Sequence, residues 1–376
     1  MEKSFVYGIA VTDHNFTGRA EETRRLKANF ESGINSILIS PRRWGKTSLV
    51  DHVCRQLEGS EIIIVKLDIF GCKTEYDFYN ALAVAVLKQT ATKVQLWIEE
   101  ARDFLSRLTP KIGIPVDPVS EITVSLGITP ETHTPEEVLN MVEAIAKRKN
   151  CHIVVCIDEF QQIGEFENTK VVQARLRSVW QHQHFTSYCL YGSKRHMMSS
   201  IFLDRSMPFY QFGDLLWLQK IPTSDWTDYI ISHFEAAGRH ISEQMVERIC
   251  ETVDNYPSYV QHLSAILLNH LSEGGNVTED MMPSAVSELV STNEALYMQQ
   301  VEPLSSYQMN LLRAIVSGIH QRFNEKRVRS QFDLGSPSNM VRLRTALIER
   351  DLIYSEMNQL HITDPVFAIW FKKRFL

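Results

Sequence analysis

Ser40-Pro41-Arg42-Arg43-Trp44-Gly45-Lys46-Thr47 decides the reading of this chain. It follows the apolar run Ile37-Leu38-Ile39 and runs into Ser48-Leu49-Val50, so a strand passes into a helix through a loop sized for phosphate. In such a P-loop the backbone N–H groups and the helix N-terminus face the phosphates, Lys46 reaches the β and γ phosphates, and Thr47 ligates Mg2+. Ser40 stands where the pattern usually has glycine, which costs little if that position keeps a negative φ; Gly45, beside the closest phosphate approach, is retained. Residues 40–48, with Pro41, Arg42, Arg43, Trp44 and Ser48 completing the loop and helix start, are the candidate cradle for ATP.

At 376 residues the chain is long enough for two or three domains. Its apolar fraction of 44% and charged fraction of 22% are those of a soluble globular protein, and no stretch approaches the ~20 apolar residues of a membrane span. Met1-Glu2-Lys3-Ser4-Phe5-Val6-Tyr7 lacks the pattern of an export signal. Six cysteines (Cys54, Cys72, Cys151, Cys156, Cys189, Cys250) sit mostly in apolar runs without a C-x-x-C pair, which suits reduced, buried thiols. These features together point to the cytoplasm, with no membrane partner. The net charge of −6 hides an asymmetry: residues 301–376 carry 11 Lys and Arg against 7 Asp and Glu, a net of +4, which leaves −10 for residues 1–300. The basic end fits either a nucleic-acid footprint or an ordinary solvated surface.

Residues 1–220 alternate strands and helices, with strands expected at Ser36–Ile39, Ile62–Leu67, Ile153–Ile157, Ser187–Tyr191 and Leu215–Leu218. That alternation predicts an α/β domain, a parallel sheet with helices on both faces. Helices are expected at Glu75–Gln89 and Pro135–Lys149, the second with Thr134 as cap. Between about 110 and 130, two alternating runs separated by Asp117-Pro118-Val119-Ser120 read as an inserted β-hairpin covering a sheet edge or docking a partner. Residues 221–300 are helical throughout: Thr223 is expected to cap Ser224–Ala237, Gly238 to end it, and Thr278 to cap a later helix. Residues 301–376 give three short helices (Ser306–Gly318, Glu325–Phe332, Ser338–Arg350), then Leu352–Tyr354, a polar turn and Leu360–Ile362, the pattern of a winged helix. Phe367, Trp370, Phe371 and Phe375 recur at helical spacing and are read as core.

A second cluster of chemistry lies 112 positions beyond Lys46, where the apolar strand ending at Ile157 delivers Asp158-Glu159. Beside a P-loop, Asp158 would hold Mg2+ through water or together with Thr47, and Glu159 would orient and deprotonate the water that attacks the γ-phosphate. The next strand ends in Gly192-Ser193-Lys194-Arg195-His196, placing Ser193 to touch the γ-phosphate or that water. Phe16-Thr17-Gly18-Arg19 precedes the first helix and either closes over the adenine or simply starts that helix. For neutralising transition-state charge, Arg175, Arg177 and Arg205 are candidates among which the sequence does not choose. His182-Gln183-His184 lacks a third ligand nearby and is read as a surface pair.

Phe16–Arg19, Ser40–Thr47, Ile157-Asp158-Glu159-Phe160-Gln161, Gly192–His196, Asn255-Tyr256-Pro257-Ser258-Tyr259-Val260 and Thr363-Asp364-Pro365-Val366-Phe367-Ala368-Ile369-Trp370 together resemble the archaeal-type ATPase family, in the signal-transduction branch of the AAA+ P-loop proteins. The resemblance covers nearly the whole chain. It implies a five-stranded core of order 5-1-4-3-2, a helical lid whose proline motif, here Pro257, approaches the nucleotide, and a C-terminal winged helix. It also implies the roles above for Lys46, Thr47, Asp158, Glu159 and Ser193. Two departures stand out: Asp254-Asn255-Tyr256 precede Pro257 where relatives usually have glycine, and Gln211 follows Pro208-Phe209-Tyr210 where many relatives carry an arginine. The second points to slow turnover; an arginine from a neighbour would require an oligomer.

The expected domains are thus a P-loop core (1–220), an all-helical lid (221–300) and a winged helix (301–376). The leading functional expectation is an ATP-driven switch with slow Mg2+-dependent hydrolysis. The alternative is a DNA-binding regulator, or a protein-interaction module, that keeps ATP as a ligand. For DNA, Ser338, Asn339, Arg342 and Arg344 on the recognition helix and a wing at Ser355–Gln359 are the contacts; Glu349, Asp351 and Glu356 nearby equally suit a protein partner. A small-molecule kinase fits least, because Glu159 suits water activation.

Overall fold

The computed structural model describes residues 5–11, 13–90, 128–130 and 133–376. These residues form two compact units: residues 19–42 with 46–219, and residues 5–18 with 43–45 and 220–376.

The first unit is built on five parallel strands, β1 (Ser36–Ile39), β2 (Ile62–Asp68), β3 (His152–Asp158), β4 (Thr186–Gly192) and β5 (Asp214–Trp217), in the order β2-β3-β4-β1-β5. Read from the other edge, this is the 5-1-4-3-2 order implied by the family resemblance. Every residue of β1 and β4 is buried, as expected of central parallel strands covered on both faces, which is why they read as unbroken apolar runs rather than alternating ones. The connecting helices are α1 (Ala20–Glu31), α2 (Lys46–Gln56), α3 (Glu75–Thr90), α4 (Pro135–Lys149), α5 (Thr169–Trp180) and α6 (Arg195–Leu203). The start of α4 follows from its sequence: Thr134 Oγ1 accepts from Glu137 N, Glu137 returns a bond to Thr134 N, and proline occupies the first turn. The hairpin expected at about 110–130 lies outside the described residues except for its end, where Ile128 exchanges two hydrogen bonds with the Asn80 side chain.

Strand register decides which side chains meet at the sheet end. Ile39 is opposite Gly192, and Ile157 opposite Leu190. Because β4 lies between β1 and β3, its carboxyl end falls between the loop leaving β1 and the carboxylates leaving β3. Ligand sites of open α/β sheets form at these carboxyl ends.

The second unit is helical with one small sheet: α7 (Thr223–Ala236), α8 (Glu243–Thr252), α9 (Pro257–His270), α10 (Met282–Val301), α11 (Ser306–Val316), α12 (Lys326–Phe332), α13 (Pro337–Glu349), the antiparallel pair β6 (Ile353–Glu356) and β7 (Gln359–Ile362), and α14 (Pro365–Phe375). A single hydrophobic core runs through it, from Phe5 across α7–α10 to Phe367, Trp370 and Phe371 of α14. The terminal aromatics are core, as their spacing implies.

Three local expectations are corrected. Thr223 is the first residue of α7 and not its cap, and its hydroxyl turns to Asn255 Oδ1 at 3.3 Å. Thr278 precedes a 3-10 turn (Glu279–Met281) and makes no capping bond. The wing is tighter than expected: Ser355, Glu356 and Gln359 belong to the strands, leaving Met357-Asn358, with φ of 46° and 62°, as a two-residue turn. Two consecutive positive φ values are the signature of a turn whose twist matches the strands it joins.

Candidate nucleotide and metal site

The P-loop closes on its own lysine. Lys46 opens α2 and is buried, its Nζ donating to the carbonyl oxygens of Ser40 (3.1 Å) and Pro41 (2.9 Å) and to Ser40 Oγ (3.3 Å). Burial lowers its pKa to about 8, against the pull of Asp158 and Glu159, with Arg42 adding to the fall. Ser40 keeps a negative φ, so the glycine usual there is not needed. The loop instead takes its left-handed residues at Arg43 (φ 64°) and Gly45 (φ 86°). Around Gly45 there is open space for a Cβ, so conformation rather than crowding within the protein requires glycine there. Pro41 and Ser48 are buried, and Arg42 and Thr47 face solvent.

Across the sheet end, Thr47 Oγ1 donates to Asp158 Oδ2 at 3.0 Å. The pair offers hard oxygen ligands and leaves coordination positions for water and phosphate, which fits Mg2+. Burial raises the Asp158 carboxyl to about 6; bonds from Glu159 N and Thr47 oppose the rise, and the charges of Glu159 and Asp68 add to it. Glu159, at φ 53° and ψ 38°, turns its side chain to Ser193, whose Oγ donates to both carboxylate oxygens at 3.0 and 3.2 Å. Gln161 Nε2 donates to the same carboxylate. The structure thus brings Lys46, Thr47, Asp158, Glu159 and Ser193 together at one end of the sheet.

The other candidates sort differently. Arg19 is buried, caps α1 at φ 64° and donates to Glu22 and the Gln219 carbonyl, a brace for the helix start. Gly18, in the second unit, has φ 63°, and a Cβ there would lie 2.8 Å from Ile221. Arg175 pairs with Glu75 (2.6 Å) and Glu136 (3.5 Å), and Arg177 donates to the Tyr210 carbonyl (2.8 Å) beneath the Phe212 ring. Arg205 is exposed in the turn after α6. In the second unit, Trp44 meets Tyr256 edge-on at 6.0 Å, Arg43 NH1 lies 3.4 Å from Tyr259 Oη, and Pro257 begins α9. Tyr259 and Tyr297 in turn donate to Asp364, the N-cap of α14.

Gln161 and Gly192 stand in the sequence only as letters of their motifs, with no task marked for them. Their signal was position: a carboxamide two residues past Glu159, and a glycine immediately before the polar residue of the next strand.

A family model described as a probable winged helix domain matches residues 295–373. Among solved structures, the chain is similar to the Walker-type ATPase PABY2304 of Pyrococcus abyssi at 17% identity and a TM-score of 0.68, over 95% of this chain and 96% of that one. It is also similar to the ORC2 protein of Aeropyrum pernix in its ADPNP-ADP complexes, at 14% identity and a TM-score of 0.56 over 95% and 94%, and in its ADP form at 0.52. The fold is that of an AAA+ P-loop ATPase with a C-terminal winged helix. No curated protein matches the sequence. In this ATPase fold the P-loop and the two carboxylates occupy the sheet end where the strand order places them, and no helix among the described residues is long and apolar enough to cross a membrane.

Proposed function

We propose that the protein is a cytoplasmic ATP-binding switch that hydrolyses Mg-ATP slowly and couples its nucleotide state to the winged helix. One observation carries this: Thr47 is bonded to Asp158 while the adjacent Glu159 is held by Ser193 at the same sheet end. Lys46 would place the β and γ phosphates. Mg2+, held by Thr47 and Asp158, would offset the charge that develops on them. Glu159 takes the proton of the attacking water as the water oxygen bonds to the γ-phosphorus and the bond to the bridging oxygen breaks, releasing ADP and phosphate. The ADPNP-ADP complexes named for ORC2 of Aeropyrum pernix support nucleotide binding. Slow turnover fits the commitment of Arg175 and Arg177 to internal partners and the glutamine at position 211.

Phosphate release tests the reading. Wild type should turn over, Lys46→Ala should lose ATP binding, and Glu159→Gln should bind ATP yet lose about 100-fold or more in kcat, in the range of lost general-base catalysis. Binding without turnover in wild type would leave ATP as a ligand only.

A second reading, DNA binding, is favoured by a hollow of about 460 Å³ on the winged helix, lined by Tyr307, Gly335, Ser336, Ser338, Asn339 and Arg342. Arg342 is oriented by Asn339 and Arg344 by Ser355 of β6. Phosphate contacts by these arginines predict that affinity for duplex DNA falls steeply with salt, and that replacing both by alanine lowers the log–log slope by about 2. Salt-insensitive or absent binding would assign this face to a protein.

A further inference from the structure

We infer that Gln161 is the positioning residue for Glu159, holding its carboxylate from a seat that Gly192 leaves open; this rests on the hydrolytic reading above. Gln161 is only 3% exposed and sits in the 3-10 turn Phe160–Glu165 that follows β3. Its amide nitrogen donates to Glu159 Oε2. A carboxylate only accepts, so the NH2 end must face it, which sends the amide oxygen toward Gly192. There Oε1 has no hydrogen-bond partner among the described residues.

Gly192 ends β4 without a positive φ, so its backbone does not call for glycine. The space does. A Cβ on Gly192 would fall 1.9 Å from Gln161 Oε1, 3.1 Å from its Cδ and 3.0 Å from Met198 Sδ. The next residue, Ser193, supplies the other donor to the same carboxylate. One corner of β4 thus makes room for the first donor and provides the second.

This matters because Glu159 adopts a left-handed backbone that a non-glycine residue holds only when its surroundings impose it. With Gln161 on Oε2, Oε1 accepts, among the described residues, only from Ser193 and keeps lone-pair capacity for the proton of the attacking water. Gln161 touches neither substrate nor water in this scheme and acts through Glu159.

The test measures kcat, KM and ATP affinity for Gln161→Leu, Gln161→Met and Gly192→Ala, singly and in the Glu159→Gln background, with thermal melting of each. The expected result is a fall in kcat of about 10- to 100-fold, the cost of a misplaced catalytic group, while KM and affinity stay within about twofold. Gln161→Leu combined with Gly192→Ala should lose no more than either alone, and Gln161→Leu should change the residual rate of Glu159→Gln by less than about twofold. The inference is overturned if both Gln161 variants keep wild-type kcat, if they cost as much without Glu159 as with it, or if neither retains a cooperative melt, which would assign Gln161 to folding. Should Gln161→Leu alone fail to fold, Gln161→Met decides. An active wild type with a dead Glu159→Gln and silent Gln161 variants sinks this inference only; a wild type no faster than Glu159→Gln sinks the hydrolytic reading with it.

Discussion

At Lys46, the phosphate affinity proposed for the loop comes at the expense of folding. An ammonium inside the loop is disfavoured by burial, which brings its pKa from 10.5 to about 8. Between those values the unfolded chain binds more protons than the folded one, so stability rises with pH from about 8 to about 10.5, and below about 8 the whole cost is present. The shift corresponds to on the order of 3 kcal/mol. Lys46→Met should therefore stabilise the nucleotide-free protein at pH 7 by about 1–3 kcal/mol, the lower figure allowing for the carbonyls of Ser40 and Pro41 left without a donor. It should also flatten the rise above pH 8 and abolish ATP binding. Urea unfolding from pH 7 to 9.5 measures the first two. A variant less stable than wild type at pH 7 would mean that the loop bonds outweigh the desolvation. The place of Lys46 at the start of α2 was legible in the sequence because the strand-loop-helix pattern around it is local in the chain. The left-handed φ of Arg43 was not, because nothing local marks an arginine for it.

Elements were legible wherever their cause was local. Thr134-Pro135-Glu136-Glu137 announces α4 through bonds within one turn, and the buried central strands announce themselves as apolar runs. Thr223 misled because a threonine before a helical pattern reads as a cap, yet its hydroxyl is drawn to Asn255, 32 positions on. Gln161 and Gly192 went unassigned for the same reason, since only strand packing brings them together. Asp364 shows local and distant causes acting on one side chain: it caps α14 through Val366 N (2.9 Å) and Phe367 N (3.0 Å), and it also accepts from the buried hydroxyls of Tyr259 and Tyr297. Burial raises its pKa, and those bonds, with Arg43, oppose the rise. Asp364→Ala removes the cap and the acceptor that both hydroxyls use, leaving them each other at 3.1 Å, so it should cost about 2–4 kcal/mol in urea unfolding. Tyr259→Phe removes one donor and should cost about 1 kcal/mol. Equal costs for the two would mean that the cap itself contributes nothing.

Across the whole molecule, neither compact unit is one continuous stretch of chain. The sequence reading placed a division near residue 220, and it could not foresee that residues 5–18 join the helical unit. Phe5 sits in that unit's core, stacked on His233 at 5.0 Å and tilted against Phe234 at 5.7 Å, and Val6 N donates to Gln261 Oε1 at 3.1 Å. A fragment of residues 220–376 should thus lose about 2–3 kcal/mol from the Phe5 site alone. Added peptide 5–18 should restore its melting temperature, which circular dichroism would follow. A fragment as stable without the peptide as with it would show that the segment is only a passenger.

During synthesis the same segment has to wait. Val6 is made 255 positions ahead of its partner Gln261. At ordinary elongation rates that interval is on the order of 10–50 s. The sheet unit can complete itself inside it. The helical unit cannot, so the apolar segment at Phe5 and Val6 stays without its docking site until the helices that carry His233, Phe234 and Gln261 have been made.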